Sequence, residues 1–451
     1  MIVCVTDQGA VGDGRTVNTQ SIQRAVDLCH GSGEGTVFFP KGVFVSGTLY
    51  LKSNVTLEIA AGAVLMASPD IRDYGKDTHH NRYRNEEALD RCFLYAQDQE
   101  NIDITGKGEI NGNARAFPNE GDENRPMMLR FLRCRNIHID GVRLYQAAAW
   151  TAAFLDSSHI WVSRVQIFND KNYNGDGLDF DGCAHVFVDG CSITGTDDNL
   201  CLQSGSRAYP VEDIHISNCE FSSICAAIRI GLKSIGDIHN VVISNCTMDK
   251  VWREGIKIEC TEGGNISDIA ISNIVMRDVR RPLFVLLNNR FQPEDYGSSI
   301  ELDEAPEIGR MEHILIHNII ATDSKEMKKI HRRFGDDIMG EPRFNGVRID
   351  AEEHHAIRNV TISHFMYHSI GGVRKGEIPS DYPKVLDQKS YPGETTSENY
   401  YPDWSRAAFM DIRNVEGLSL EDIIFSSEEP DEREAYFVEN CQVYRQEIYV
   451  R

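Results

Sequence analysis

A short phrase of alternating apolar and polar residues recurs along most of the chain. Each copy spaces its apolar residues two apart and ends on a small or polar residue that suits a turn. The clearest copies are Asn101-Ile-Asp-Ile-Thr-Gly106, Asn136-Ile-His-Ile-Asp-Gly141, His159-Ile-Trp-Val-Ser-Arg164, His185-Val-Phe-Val-Asp-Gly190, Asp213-Ile-His-Ile-Ser-Asn218, Asn240-Val-Val-Ile-Ser-Asn245 and Asp268-Ile-Ala-Ile-Ser-Asn273. Because side chains alternate across a strand, each copy predicts a β-strand with one buried face.

The spacing of the copies predicts how the strands are arranged. From residue 136 the successive starts lie 23, 26, 28, 27 and 28 residues apart. A period of this length suits three short strands with their turns, which is one coil of a parallel β-helix. Propeller blades need about 40 residues or more, and the leucine and asparagine frame of leucine-rich repeats is absent. The sequence therefore predicts an all-β fold, a right-handed parallel β-helix.

Later copies of the phrase are more widely spaced. They begin at His313, Asn359 and Gly417, after gaps of 45, 46 and 58 residues, which indicates loops inserted into coils that continue. We expect a single domain, divided into an N-terminal turn and capping helix over 1–35, core coils with the active site over 36–290, and further coils with long loops over 291–451. Segments rich in charge and proline are expected to wall a cleft, at about 69–90, 113–127, 289–310 and 365–405.

The chain ahead of the first coil has a helical pattern. Asn18 and Thr19 offer an N-terminal cap. Apolar residues then follow at the spacing of one helix face, at Ile22, Ala25, Val26 and Cys29. An amphipathic helix near 19–29 is well placed to cover the exposed strand edges at the start of the solenoid.

Composition and charge exclude several classes of protein. The chain has 46 basic and 69 acidic residues, a net charge of −23, which argues against nucleic-acid binding because phosphates need a basic surface. The longest apolar run, 59–67, is too short to span a bilayer. Met1 is followed by no signal-like segment. We therefore expect a cytoplasmic protein, or a secreted or periplasmic one if a leader has been removed.

The cysteines do not resemble a disulfide framework. There are 12 in 451 residues and no two are spaced as in a CxxC motif. Cys191, Cys219 and Cys246 recur at intervals of 28 and 27 residues. We expect these three thiols to be reduced and stacked inside the solenoid, as small buried apolar groups.

Two acidic runs interrupt the repeat about one coil apart. The first contains Asn174-Gly-Asp176-Gly177, and the second contains Asp197-Asp198 followed by Gln203-Ser204-Gly205. Carboxylates on neighbouring coils would lie about one strand spacing, ~4.8 Å, apart. Mutual repulsion would then raise at least one pKa, as a hydrolase with a general acid and a water-activating base requires. The alternative is that Asp and Asn occupy turns between coils, as they commonly do.

These motifs resemble family 28 of the glycoside hydrolases, the polygalacturonase-like enzymes. The resemblance starts at the Gly9-Ala-Val-Gly-Asp-Gly14 opening and continues to about residue 290. It implies that Asp197 is the general acid and that Asp176 and Asp198 hold the hydrolytic water. It further implies inversion at the anomeric carbon, with no metal and no cofactor. Asn174 and Gln203, in the same runs, are candidate substrate-binding residues.

The chain departs from the family pattern at its basic positions. Cys225-Ala226-Ala227 stands where the family has Gly-His-Gly, and Lys257-Ile258-Glu259 stands where it has Arg-Ile-Lys. Alternation places Arg229, Lys257 and Glu259 outside, towards the cleft, where we expect them to bind substrate. The alternative is that they are solvated strand residues. Weaker candidates are His79, His80 and Glu262.

The sequence as a whole favours an inverting glycoside hydrolase. The altered basic positions and the expected cleft walls favour exo action on pectin-derived or related acidic oligosaccharides, containing galacturonate or rhamnose. Two alternatives stay open: a polysaccharide lyase that acts by β-elimination through Lys257 or Arg229, and a non-catalytic carbohydrate-binding β-helix. The expected partner is an oligosaccharide or polysaccharide, with no nucleic acid and no membrane. Nothing in the sequence indicates the oligomeric state.

Overall fold

The computed structural model describes residues 1–78, 91–119, 124–289, 301–302, 306–323, 346–377 and 405–451. Their contacts divide the chain into two compact units. The N-terminal unit comprises residues 1–201 and 213–219, and the C-terminal unit comprises residues 202–212 and 220–451. His79 and His80, the weaker histidine candidates, lie outside the described residues.

Strands dominate the described part of the chain. The single α-helix described, α1, spans Thr19–Gly31, and 3₁₀ turns cover Val5–Gln8, Ile71–Asp73, Ala114–Ala116 and Lys375–Glu377. The strands, β1 to β30 in chain order, are Ile2–Cys4, Asp13–Val17, Gly35–Phe39, Gly42–Ser46, Leu49–Tyr50, Val55–Ile59, Ala63–Ala67, Cys92–Gln97, Glu100–Gly106, Glu109–Asn111, Met127–Leu132, Arg135–Asp140, Arg143–Tyr145, Ala152–Leu155, Ser158–Ser163, Gln166–Phe168, Leu178–Asp181, Ala184–Asp189, Ser192–Gly195, Leu200–Ser204, Val211–Ser217, Glu220–Ser223, Ile228–Ser234, Ile238–Cys260, Asn265–Leu287, Arg310–Thr322, Val347–Ala351, Ile357–Gly371, Ala407–Glu429 and Glu434–Val450.

In the N-terminal unit the repeat phrases pair in parallel and in register. β9, β12, β15 and β18 lie side by side, so that Ile102, Ile137, Ile160 and Val186 form one buried column. Phe131, Phe154 and Phe180 stack in another part of the same interior, with ring centroids 5.1 and 5.0 Å apart. Burial of these columns removes apolar surface from water, which is the main stabilising contribution to such a coil.

The C-terminal unit repeats this arrangement. Val241, Ile269, Ile314, Val360 and Leu418 align through successive parallel pairings and are all buried. Long strands of this unit, such as β24, turn the corners of a coil without a break in pairing. Parallel pairing of repeat on repeat in both units confirms the predicted all-β parallel β-helix. The single-domain assignment and its internal boundaries stay predictions.

The first residue of each repeat phrase has a left-handed backbone conformation. The φ angles at these ten positions lie between 53° and 78°, at Asn101, Asn136, His159, His185, Asp213, Asn240, Asp268, His313, Asn359 and Gly417. Asn, Asp, His and Gly tolerate this region better than other residues. The polar start of each phrase is therefore a requirement of the corner, and it fixes where each coil turns.

The predicted N-terminal helix is present. Its buried residues are the four that the spacing selected, Ile22, Ala25, Val26 and Cys29. The predicted cap is wrong, because the Asn18 side chain does not bond to the helix. Its Oδ1 accepts a hydrogen bond from the backbone N–H of Val11 at 2.7 Å, and its Nδ2 donates to the carbonyl oxygens of Val11 and Thr16.

Other expectations are met in part. All twelve cysteines have free thiols, and a hydrogen bond to Cys219, together with burial, raises the pKa of Cys191. The loop expected from residue 365 begins later, because β28 continues to Gly371. Within the described residues, no helix is both long and apolar enough to cross a bilayer.

Candidate active site

The two acidic runs lie on adjacent coils of the N-terminal unit. The backbone N–H of Gly177 donates to the carbonyl oxygen of Asp198 at 3.0 Å, and that of Leu178 donates to Asn199 at 2.9 Å. A Cβ atom on Gly177 would stand 2.1 Å from the Asn199 carbonyl oxygen. Glycine is therefore required beside Asp176 for the two runs to approach this closely.

Three side chains converge where these runs meet. One carboxylate oxygen from Asp176, one from Asp198 and the thiol of Cys201 all lie within 4.8 Å of one another. Asp176 and Asp198 are buried, at 4% and 1% exposure, whereas Asp197 is only partly buried. The Cys201 thiol donates weakly to Asp198, at 3.9 Å. Acidic clusters of this kind are common without an ion, so we assign no metal to this one.

Asp197 is held by hydrogen-bond donors on both of its oxygens. The backbone N–H of Asp198 donates to Oδ1 at 2.9 Å, and the side-chain amide of Asn174 donates to Oδ2 at 3.3 Å. The other end of that amide accepts a hydrogen bond from Arg125 at 2.9 Å. The structure thus brings together the predicted residues Asn174, Asp176, Asp197 and Asp198.

Buried amide and hydroxyl groups support this site from behind. Asn169 Nδ2 donates to Thr151 Oγ1 at 2.7 Å and to the carbonyl oxygens of residues 175 and 176 at 3.3 and 3.4 Å. Asn172 donates to the carbonyl oxygen of Ala114 at 2.9 Å, and Thr196 Oγ1 accepts from the N–H of Gly175 at 2.9 Å. Sequence reasoning missed these residues and Arg125, because buried polar groups in loops follow no periodic pattern. The Asn-rich run around Asn174 was their only signal.

The predicted basic and acidic positions of the C-terminal unit form an ion cluster. Lys257 Nζ lies 3.4 Å from Glu259 and 3.9 Å from Glu254, and Arg281 lies 3.4 Å from Glu254. Lys257 and Glu259 are each 1% exposed. The alternative that these are solvated strand residues is therefore wrong. Alternation correctly keeps them off the apolar interior, but it cannot show that their outer side is covered.

Arg229 and Gln203 also belong to the C-terminal unit. Arg229 pairs in register with Lys257 across β23 and β24, so the two side chains share one face. Gln203 is 2% exposed, and its Oε1 accepts no hydrogen bond from the described residues. Glu262 is fully buried and accepts a hydrogen bond from the backbone N–H of Ser234 at 3.0 Å, which makes it a structural turn residue.

The same face of the C-terminal unit carries a second charged group that sequence reasoning missed. Arg348 aligns with Asp411 across β27 and β29 and lies 2.9 Å from Asp350. Arg406 makes two hydrogen bonds to Asp411, both at 3.0 Å. Burial tends to raise the pKa of Asp411, but Arg406 and its neighbours hold it below its usual range.

Comparison with known proteins assigns the class. The family model of glycosyl hydrolases family 28 matches residues 29–364, so the chain belongs to this family. A probable polygalacturonase of Vitis vinifera is 26% identical over 306 residues, which cover 61% of each chain. The chain thus spans under two thirds of that relative. An exo-poly-alpha-D-galacturonosidase of Dickeya chrysanthemi is 23% identical, over 85% of this chain and 73% of that one.

A solved structure agrees with the fold. The family 28 exopolygalacturonase of Yersinia enterocolitica has a TM-score of 0.70 at 18% identity, over 100% of this chain and 78% of that one. At this identity the likeness bears on the fold alone. It agrees with the parallel β-helix predicted from the repeat.

Proposed function

We propose that the chain is an inverting glycoside hydrolase that acts on galacturonate-containing oligosaccharides from the ends of their chains. The observation that carries the proposal is the convergence of Asp176 and Asp198 within 4.8 Å, beside an Asp197 held on both oxygens. Family membership supports hydrolysis of a glycosidic bond, and the Dickeya relative's name supports an exo-acting galacturonosidase.

In this proposal the three carboxyl groups divide the reaction between them. Asp197, the least buried of the three, donates a proton to the leaving glycosidic oxygen. Asp176 and Asp198 hold a water molecule, accept its proton and direct its oxygen to the anomeric carbon from the opposite face. The configuration at that carbon is then inverted, and no covalent intermediate forms.

The charged cluster of the C-terminal unit is proposed to select the sugar. Lys257 already lies 3.4 Å from Glu259, so a second carboxylate beside it would compete with an existing partner. This favours a neutral sugar such as rhamnose near Lys257 and leaves Arg229 as the group for a uronate. If they bind substrate in this way, Arg229→Gln should raise KM for a uronate substrate with little change in kcat.

The test is product analysis with pectic oligosaccharides. Oligogalacturonides and oligosaccharides of alternating galacturonate and rhamnose are incubated with the protein, and products are separated by anion-exchange chromatography. Exo hydrolysis releases saturated monosaccharide from the first time point. An unsaturated uronide with ultraviolet absorbance would instead indicate a lyase. Binding without turnover would indicate a carbohydrate-binding protein, and either outcome would contradict the proposal.

A further inference from the structure

The Asn174 side chain stands between a buried arginine and the proposed general acid. Asn174 has φ 55°, a left-handed conformation that asparagine tolerates. Its Oδ1 accepts from Arg125 Nη2 at 2.9 Å, and its Nδ2 donates to Asp197 Oδ2 at 3.3 Å. One planar amide therefore connects the two residues.

Arg125 decides which way this amide faces. A guanidinium group only donates hydrogen bonds, so the atom of Asn174 that faces it must be the oxygen. The NH₂ end is then directed to Asp197. With no donor on the Arg125 side, the amide is free to turn by half a revolution. That would place an acceptor, rather than a donor, against Asp197.

Arg125 itself is firmly held. It is 1% exposed, and its guanidinium also donates to the carbonyl oxygens of Tyr173 and Ala148. The residue after it is Pro126, which confines Arg125 to extended backbone conformations. Arg125 thus meets the two conditions for orienting a neighbour: a restricted backbone and a guanidinium with several fixed acceptors.

The orientation matters because Asp197 is proposed to deliver a proton. Its Oδ1 is fixed by the Asp198 N–H and its Oδ2 by Asn174, so the plane of the carboxyl group is set. If Asn174 turned, its oxygen would accept the Asp197 proton and hold it away from the leaving group. A misplacement of about 1 Å in such a group costs up to about 10²-fold in rate.

We propose that Arg125 is a positioning residue for the hydrolysis described above: it fixes the Asn174 amide so that its NH₂ group faces Asp197. The inference rests on the proposed function of Asp197. It assigns a role to a loop residue that carries no recognisable motif, and it makes Asn174 a link between Arg125 and Asp197.

The test compares two substrates that differ in leaving group. On trigalacturonate, whose leaving group needs a proton, Arg125→Ala should lower kcat by up to about 10²-fold. On 4-nitrophenyl α-galacturonide, whose leaving group needs little protonation, the same variant should be close to wild type. Arg115→Ala removes an exposed arginine from the preceding segment and should match wild type on both. An equal loss on both substrates, or no loss, would overturn the proposal.

A second variant guards against misfolding of Arg125→Ala. Asn174→Asp has the same shape and keeps an oxygen for Arg125, but it has no donor for Asp197. It should show the same dependence on leaving group, and combination with Arg125→Ala should cause little further loss. Normal turnover of trigalacturonate by Asn174→Asp would overturn the proposal.

A structural readout separates this inference from the function on which it rests. If wild type cleaves neither substrate, the proposed function fails. The crystal structure of Arg125→Ala still tests the positioning role. Loss of the 3.3 Å contact between Asn174 and Asp197 is expected. An unchanged contact would overturn the role of Arg125.

Discussion

The acidic side chains of the two units are held in contrasting ways. In the N-terminal unit Asp197 accepts hydrogen bonds from an amide and a backbone N–H, and Asp176 and Asp198 lie close to each other. In the C-terminal unit Glu254 and Glu259 alternate with cations at 3.4 to 3.9 Å. Carboxyl groups held by neutral donors and by one another are suited to exchange protons, whereas carboxylates interleaved with cations stay ionised.

This contrast assigns different work to the two sets. Acid–base chemistry needs groups whose charge changes during the reaction, which fits Asp176, Asp197 and Asp198. An ion cluster contributes fixed charge and shape, which fits selection of a sugar. Removal of one member should therefore affect turnover in the first set and stability in the second.

The largest expected effect is on turnover. Asp197→Asn keeps the shape of the side chain but removes the transferable proton, so kcat on trigalacturonate should fall by about 10²–10⁴-fold. Activity on 4-nitrophenyl α-galacturonide should be partly retained, because its leaving group needs little protonation. Asp176→Asn should lose activity on both substrates, since it acts on the water. Initial rates on the two substrates check this, with unchanged circular dichroism as the control for folding.

The next effect is on stability. Lys257→Met leaves Glu259 and Glu254 buried with one cation fewer, which should lower the free energy of unfolding by about 3–5 kcal/mol. The double variant Lys257→Met/Glu259→Leu should recover much of this loss, because it removes both charges. Denaturant titration of the variants checks the cycle. If the single variant were as stable as wild type, the ion cluster would not be coupled in the way we describe.

A smaller effect concerns pH. Asp323, in the C-terminal unit, accepts hydrogen bonds from Tyr367, Ser369 and the Ile370 N–H, and burial raises its pKa to about 7. Between pH 4 and 7 the folded state keeps a proton that the unfolded state has lost. Stability should therefore fall as the pH rises, by about 2–3 kcal/mol between pH 5 and 7.

Asp323→Asn provides the control for this dependence. It retains an acceptor for Ile370 but cannot ionise, so its unfolding free energy should change less over the same pH range. Denaturant midpoints at pH 5, 6 and 7 for both proteins measure the difference. Parallel pH profiles would show that Asp323 is not responsible.

The smallest effect is expected at the surface. Arg277 lies 2.8 Å from Asp249, but its side chain is 69% exposed. Because water and salt screen such a pair, Arg277→Ala should leave the thermal midpoint at its wild-type value within error. This variant is the matched control for Lys257→Met. A shift as large as that of Lys257→Met would mean that exposure does not distinguish the two pairs.

The periodic parts of the molecule could be predicted from the sequence. The repeat phrase revealed parallel coils because each begins with a residue that tolerates left-handed φ and continues with a strand of period two. The spacing of Asp176 and Asp198 followed from the same period. These features depend on local backbone geometry, so the sequence carries them directly.

Features that depend on tertiary contacts could not be predicted. Arg125 lies in a loop without periodicity, and its contact with Asn174 spans 49 positions of the chain. The covering of Lys257 and Glu259 depends on what packs over the strand, whereas alternation reports only the side of the strand. Asn18 was misread because its position suited a cap, but its side chain bonds to Val11 instead.

The stereochemistry of the first product tests the central claim most directly. Proton NMR during the first minutes of hydrolysis of an α-linked oligogalacturonide distinguishes the two anomers before they interconvert. An Asp197 acid working with a water held by Asp176 and Asp198 predicts that the β-anomer appears first. If the α-anomer appeared first, the reaction would retain configuration, and the assignment of these three residues would be contradicted.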